Sequence, residues 1–311
     1  MKKYIFKRLL TLFPVLLGVT FLTFFLLSFA PSDPVTMKYL SMGTSGDAEV
    51  MEAQREELGL NDPLLVRYGH WLIDASHGDF GESVSFGHSV KQEMMRRLPK
   101  TITLTLLSVL LTIIVTIPLG MLSAVYKNRI ADYIIRFLSF VGVSMPSFWL
   151  GLLLIYVFSI KLELLPSMSG NSAVGLILPT ITLAAWMIAT YIRRLRANIL
   201  EEINKDYVTG LLSRGIPFWK VNLKHVLPNA LLTIITMFGM SIGSVLGGAT
   251  VVETVFGYQG VGKMAADAVT GRDYNLMQAY VVWMAVIYVL VNLAVDILYR
   301  YLDPRIRLGE E

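Results

Sequence analysis

An all-α polytopic membrane protein with six transmembrane helices is the fold class this sequence predicts, on three observations. Of the 311 residues, 54% are hydrophobic and only 16% are charged, giving a mean hydropathy of +0.59. Six charge-free apolar runs reach membrane-crossing length, and the basic residues gather in alternate connections between them. A soluble domain of this size needs more charge to cover its surface, so the bilayer is its solvent.

The runs are Leu9–Ala30, Thr101–Tyr126, Phe137–Ile160, Val174–Ile192, Ala230–Val252 and Asn275–Val295, of 22, 26, 24, 19, 23 and 21 residues. Roughly 20 helical residues cross the hydrocarbon core, so each is long enough. Lipid offers no water to the backbone, so every run must satisfy its own amides as a helix. Pro14, Pro118, Pro146 and Pro179 fall inside runs and read as kinks that a bundle tolerates. The first run exceeds a signal-peptide core, and Ser28-Phe29-Ala30 puts a bulky residue in the middle of the only candidate cleavage site. The first helix is therefore expected to be retained.

Charge sets the orientation. Cytoplasmic termini place 17 of the 27 Lys and Arg inside. These are Lys2, Lys3, Lys7 and Arg8, then Lys127, Arg129 and Arg136, then seven residues between Arg193 and Lys224, then Arg300, Arg305 and Arg307. The outer segments hold 15 of the 23 acids, so the positive-inside rule favours this topology. The basic pI near 9.1 follows from it and does not point to nucleic acid. Cysteine is absent, which excludes disulfides and thiolate metal sites.

Two segments outside the membrane are more than connections. Pro31–Lys100 reads as a small extracytoplasmic subdomain. Asp47 can cap a helix that runs to Leu58 and stops at Gly59. Asp62 can cap a second, with Pro63 at its first position. Leu64, Leu65, Tyr68, Trp71 and Leu72 share one face of that helix, which could lie on the membrane, pack on the spans or meet a partner. His77-Gly78-Asp79-Phe80-Gly81 follows as a turn-rich loop. The second segment, 193–228, is basic, polar and helical from Ile199 to Leu212. Gly215 ends that helix at a turn where a Cβ is expected to collide, and Ile216-Pro217 starts another segment. A helix–Gly–helix hairpin on a membrane has the shape of a docking surface, or is a solvated loop.

In the fifth run Gly239, Gly243 and Gly247 recur at four-residue spacing. Such a stripe serves packing within the chain, a subunit contact or a pore lining.

Little in the chain reads as catalytic chemistry. Gly257–Met264 fits the phosphate-loop pattern G-x-x-x-x-G-K-[ST] except at Met264, which has no hydroxyl for magnesium, and the segment lies on the outer side. His70, His77 and His88 are also outside, at spacings that match no compact ligand pattern. Glu253 and Asp296 stand at span ends, not at the midplane expected of a proton-coupled pump. Met145, Met187, Met237, Met240 and Met284 lie inside spans and serve packing or a soft-metal path. A stand-alone channel or secondary transporter would need a filter, an inverted repeat or a midplane charge, and none is evident.

The cytoplasmic hairpin resembles that of permease subunits in binding-protein-dependent ATP-binding-cassette importers. Their signature is EAA-x-x-x-G, nine residues, then I-x-L-P. Gly215, Leu227 and Pro228 fall at its spacing, while Thr209-Gly210-Leu211 replaces EAA and His225 stands at the Ile place. Those departures are similar to the dipeptide, oligopeptide and nickel permease branch. Further matches include Leu58-Gly-Leu-Asn-Asp-Pro63, Gly78-Asp-Phe-Gly81, Gly142-Val-Ser-Met-Pro146 with Phe148-Trp149, Asp206-Tyr207, Glu253-Thr-Val-Phe256 with Gly260-Val-Gly262, and Asp303-Pro-Arg-Ile-Arg307.

The resemblance implies a type I importer permease fold. Residues 1–96 would form a first helix plus outer subdomain, 97–300 a five-helix core with the coupling loop at 193–228, and 301–311 a cytoplasmic tail. It implies a bacterial inner or plasma membrane location. Implied partners are a second homologous permease, two ATPase subunits that alone bind ATP and magnesium, and an extracytoplasmic binding protein. The coupling residues would be Asp206, Tyr207, Gly215, His225, Leu227 and Pro228. A translocation path would draw on Met145, Pro146, Met237, Met240, Ser241, Gly243 and Glu253. The short link Lys161–Ala173, Asp33-Pro34 through Tyr39-Leu40, and Ser-Met-Pro-Ser-Phe-Trp favour nickel or a chelated metal as cargo, with dipeptides or oligopeptides the alternative.

Overall fold

The computed structural model describes residues 2–29, 33–44, 46–170 and 172–302, without the side chains of 2–9, 41, 232–233, 236, 239–240, 242, 244, 248, 296 and 298–302. The side chains of Lys2, Lys3, Lys7, Arg8, Met240, Asp296 and Arg300, with the tail from Asp303 through Arg305 and Arg307, lie outside the described residues. The architecture is helical throughout, and its one β-bridge pairs Glu82 with Ser89 among the described residues. The chain divides into two compact units, Met1–Lys100 with Gln259–Leu290, and Thr101–Tyr258 with Val291–Glu311.

The first unit carries α1 (Lys2–Ser28), α2 (Pro34–Ser41), α3 (Ala48–Glu57), α4 (Leu64–Ser76), the start of α5 (Val90–Val125), α12 (Val261–Thr270) and most of α13 (Tyr274–Leu302). Asp47 caps α3 by accepting from the Glu49 amide at 3.1 Å. Gly59 ends it at φ +63°, and the Leu60 amide closes back on the Arg55 carbonyl at 2.8 Å. Asp33 caps α2 and takes Arg55 of α3 through Nη2 at 2.9 Å. Burial pushes Asp33 up, but hydrogen bonds from Thr36 and Arg55 outweigh it and hold its carboxyl below the usual range.

Two expectations for α4 need correcting. Its N-cap is Pro63, not Asp62, and no side chain caps it, because the helix begins one residue later. Leu65 is 70% exposed, since the packed stripe runs through Leu64, Tyr68, Trp71 and Ala75 at helical spacing. That stripe packs on the first span: Tyr68 Oη lies 2.9 Å from Thr20 Oγ1, and its ring meets Phe21 and Phe24 edge-on. Elsewhere in this unit Met264, the residue that broke the phosphate-loop pattern, is fully buried beside Val90, Met94 and Leu276. Asp273 caps α13 through the Leu276 amide and holds the 83–86 turn through Ser83 Oγ at 2.5 Å and the Ser85 amide at 3.0 Å.

The second unit holds the rest of α5, α6 (Ile130–Ser144), α7 (Ser147–Leu154) with a π-helical extension Ile155–Lys161, α8 (Ile177–Ile203), α9 (Asp206–Ser213), α10 (Phe218–Val221) and α11 (Leu227–Val255). Within α5, Thr101, Thr105, Ser108, Thr112 and Thr116 line one buried face at helical spacing. Ser108 and Thr112 return their hydroxyls to their own helix at the Leu104 and Ser108 carbonyls, so these two polar groups are satisfied in an apolar interior. Ser108 Oγ also reaches the Thr180 carbonyl of α8 at 3.4 Å.

Four helices among the described residues are long and apolar enough to cross a membrane: Leu10–Ser28, Val90–Val125, Val174–Ile203 and Tyr274–Val295. The expected run Ala230–Val252 lies within the continuous α11. The third run differs. Instead of one helix kinked at Pro146, α6 and α7 form a broken pair bent by 109°. Met145 is extended (ψ 124°) and Pro146 becomes the N-cap of α7, because a residue before proline is pushed out of the helical region.

A buried ion pair fixes α6 to α8. Asp132 is fully buried, and both its oxygens accept from Arg196 at 2.7 Å, with Ser123 Oγ and the Asn128 amide also donating. The fork-on-fork geometry offsets the desolvation of both charges. Asp132→Asn would strand a shielded guanidinium. It should lower the stability of the detergent-solubilised protein by about 3 kcal/mol, read as an earlier unfolding midpoint; an unchanged midpoint would show that the pair is dispensable.

Candidate functional site

The coupling loop begins where α8 ends. Helical character does not run unbroken to Leu212: Asn204 and Lys205 interrupt it, and α9 starts afresh at Asp206. The break is held by Glu202, which accepts from Lys205 Nζ at 2.5 Å and from Tyr207 Oη at 2.9 Å. Asn229, in the first turn of α11, donates to the same Tyr207 oxygen at 3.4 Å. Tyr207 thus bridges the end of one span and the start of another. Burial and the Glu202 carboxylate push its hydroxyl above the usual phenol range, against the Asn229 amide, so it stays protonated and donating.

Gly215 ends α9 at φ +78°, with its amide on the Leu212 carbonyl at 2.9 Å and the Ile216 amide on Leu211 at 3.3 Å. The paired bonds and the left-handed residue make a helix stop that glycine adopts without strain. The expected collision is absent, because a Cβ at Gly215 would meet nothing within 4 Å. Backbone conformation, not crowding, is what the position demands.

The loop has two faces. Val208, Val221 and Val226 are buried at 1% exposure or less and join the core of α8 and α11, with Leu211, Ile216 and Leu227 packed behind them. The opposite face leaves Leu212, Phe218, Trp219 and Leu223 exposed among Arg214, Lys220 and Lys224. Asp206, His225 and Pro228 are exposed as well.

The residues expected to line a path do not form one cluster. Met237 and Ser241 lie against α8, where Tyr191 Oη donates to the Met237 carbonyl at 2.8 Å and pairs with Ser241 Oγ. The Tyr191 ring stacks on Phe238 at 4.2 Å between centroids. Glu253 is 12 residues further along α11, about 18 Å away by helical rise. It is fully buried and accepts from Thr101 Oγ1 at 2.6 Å. Met145 and Pro146 stand at the α6–α7 break. Gly243 is half-buried, while Gly239 and the Met240 side chain lie outside the described residues. Gly247 faces open space. Two close approaches to glycine among the described residues involve other helices. A Cβ on Gly142 would stand 2.9 Å from Ala189 Cβ, and one on Gly120 would stand 2.9 Å from Leu195.

Tyr191 and the Asp132–Arg196 pair escape a reading of the sequence. The one available signal is that Asp132 is the single acid between Glu93 and Glu163. His77 bonds the Ile73 carbonyl through Nδ1, and no group of three His, Asp or Glu among the described residues could hold a metal.

A helical membrane bundle with a two-faced loop between two of its helices has the architecture of a transporter's membrane subunit. The model of the binding-protein-dependent transport system inner membrane component matches residues 116–308, and the model of the N-terminal part of such components matches residues 1–105. The chain belongs to this family and is a multi-pass inner-membrane permease subunit of an ABC importer, with ATP hydrolysis in partner subunits.

It is 40% identical to the oligopeptide transport system permease protein AppB of Bacillus subtilis (strain 168), over 98% of this chain and 99% of that one. It is 38% identical to the glutathione transport system permease protein GsiC of Escherichia coli (strain K12), over 99% of both. The fold matches a chain of the MetNI methionine ABC transporter in an inward-facing crystal form at a TM-score of 0.56 and 18% identity, covering 68% of this chain and 96% of that one.

Removing the Tyr207 hydroxyl should release the loop while leaving the spans intact. A hydrogen bond to a charged group contributes about 1.5–3 kcal/mol. Tyr207→Phe should therefore speed tryptic cleavage at Arg214 and Lys220 in the solubilised protein by about tenfold or more. Equal cleavage rates would show that the clamp does not order the loop.

Proposed function

We propose that this chain passes peptide-class cargo, delivered by an extracytoplasmic binding protein, and is driven by ATPase subunits that dock on the 193–228 loop. The observation that carries the reading is the loop's construction. Its inner face is rooted in the core of α8 and α11, and its outer face offers Trp219, Phe218 and Leu223 among basic residues. In this reading Asp206, Tyr207, Gly215, His225, Leu227 and Pro228 form or support the docking surface. Both termini are cytoplasmic, ATP and magnesium stay on the ATPase pair, and a second homologous permease completes the path.

Peptide is favoured over the nickel that the short Lys161–Ala173 link suggested. The two relatives carry oligopeptide and glutathione in their names. The glutathione permease aligns over 307 residues at 99% of both chains, so a compact link is compatible with a peptide carrier. Binding must be weak enough to let cargo leave.

Gly215→Asp should reach the membrane at normal levels, since open space surrounds the position, yet abolish cargo-stimulated ATP hydrolysis in the reconstituted importer. Undiminished stimulation would remove the loop from coupling. For the path, Gly243→Leu should block dipeptide uptake without preventing assembly, and Met240→Leu should have a smaller effect. Uptake of nickel measured in parallel separates the cargoes: transport of nickel and not dipeptide by the parent protein would restore the metal reading.

A further inference from the structure

Helix α6 turns one face to the protein and leaves the other bare. Asp132, Ile135 and Ser139 are buried, while Tyr133, Phe137 and Phe140 are 57%, 66% and 64% exposed. A cavity of about 530 Å3 opens there, lined by Tyr133, Arg136, Phe137, Phe140, Arg193 and Arg196. Three guanidinium groups and three aromatic rings share it, and no carboxylate lines it.

The charge balance is unequal. Arg196 is satisfied, because it holds both oxygens of Asp132. Among the described residues Arg136 and Arg193 have no carboxylate partner, and Arg136 has only the Tyr133 ring 5.9 Å away. Two uncompensated guanidinium groups beside a third favour an anion with several acceptor oxygens, and the planar fork suits phosphate. The bare rings beside them call for apolar chain. Position adds to this: Arg193 and Arg196 follow directly on the apolar stretch Val174–Ile192 of α8, where a spanning helix leaves the hydrocarbon for the headgroups.

We propose that this cavity binds the phosphate of an anionic phospholipid, with Arg136 and Arg193 on the headgroup and Phe137 and Phe140 against the acyl chains. The site ties the bare face of α6 to lipid while Asp132–Arg196 ties its buried face to α8.

The test is lipid retention by the purified importer complex in mild detergent, read by native mass spectrometry with phosphatidylglycerol, phosphatidylcholine or inorganic phosphate added. The wild type should retain phosphatidylglycerol and release phosphatidylcholine. The double variant Arg136→Gln/Arg193→Gln should retain it roughly 100-fold less, about tenfold for each charge-assisted hydrogen bond lost. Lys127→Gln/Arg129→Gln removes the same charge from the adjoining turn and should change nothing. If the arginine variant fails to assemble, Phe137→Gln supplies the reduced retention instead.

Equal retention by the pocket variants, equal loss in the control pair, or equal affinity for phosphatidylcholine would overturn the site. Displacement of the lipid by millimolar inorganic phosphate would reassign it to a soluble anion. A photocrosslink from residue 137 to another polypeptide, and not to lipid, would make the face a protein interface and sink the proposal.

Discussion

How closely other helices approach α8 governs the membrane core of this protein. In lipid the usual hydrophobic drive between helices is missing, so association rests on close packing and on hydrogen bonds that hydrocarbon cannot supply. Gly142 lets the α6 backbone reach Ala189, and Gly120 lets α5 reach Leu195, at distances where any Cβ would collide. The hydroxyl stripe of α5 continues the same logic, since Ser108 and Thr112 are small enough for contact and return their polar atoms to their own helix. With α8 so enclosed, Met187, Leu195 and Ile199 are fully buried, which is unusual for a span that could face lipid. The Asp132–Arg196 pair then fixes the rotation of α6 about that axis.

The two-faced loop follows from this enclosure. A segment of mixed polarity at a membrane surface stays ordered only when its apolar side finds a core. Val208, Val221 and Val226 find the one built by α8 and α11. The Glu202–Tyr207–Asn229 bridge closes the base of the hairpin, and Gly215 closes its tip with a left-handed residue. What remains outside is apolar and basic, and no residue of the described chain covers it.

Much of this was legible from sequence, for reasons that differ by element. The apolar runs are local in sequence and long, so hydropathy alone placed five of them on single helices and failed at the third. The Asp47 cap and the Gly59 and Gly215 stops are also local chemistry, and they appear where the residues predict. The α6–α7 break was hidden because Met145-Pro146 interrupts the helix without interrupting hydrophobicity. Leu65 was misplaced because it sits at the edge of an apolar stripe whose centre is Tyr68. Asp132–Arg196 and Ser83–Asp273 join residues 64 and 190 positions apart, and no periodicity announces such partners. At the candidate path, spacing marked the glycine stripe of α11, but which helix each glycine faces depends on packing that a single chain's sequence does not encode.

Stiffness and freedom are distributed unevenly in the second unit, and the distribution bears on how drive could travel. Tyr191 joins α8 to α11 through two hydrogen bonds and a ring stack, each contributing about 1 kcal/mol. Because the loop is rooted in the core of both helices, a force on Trp219 or Phe218 reaches α8 and α11 together, and separating them would cost those bonds. The α6–α7 junction is built in the opposite way. Met145 is already extended and Pro146 has no amide to lose, so rotation about this point breaks no helical hydrogen bond. Met145-Pro146 is therefore the junction at which these helices can reorient with no helical hydrogen bond to break, whereas parting α8 from α11 means breaking the Tyr191 bonds.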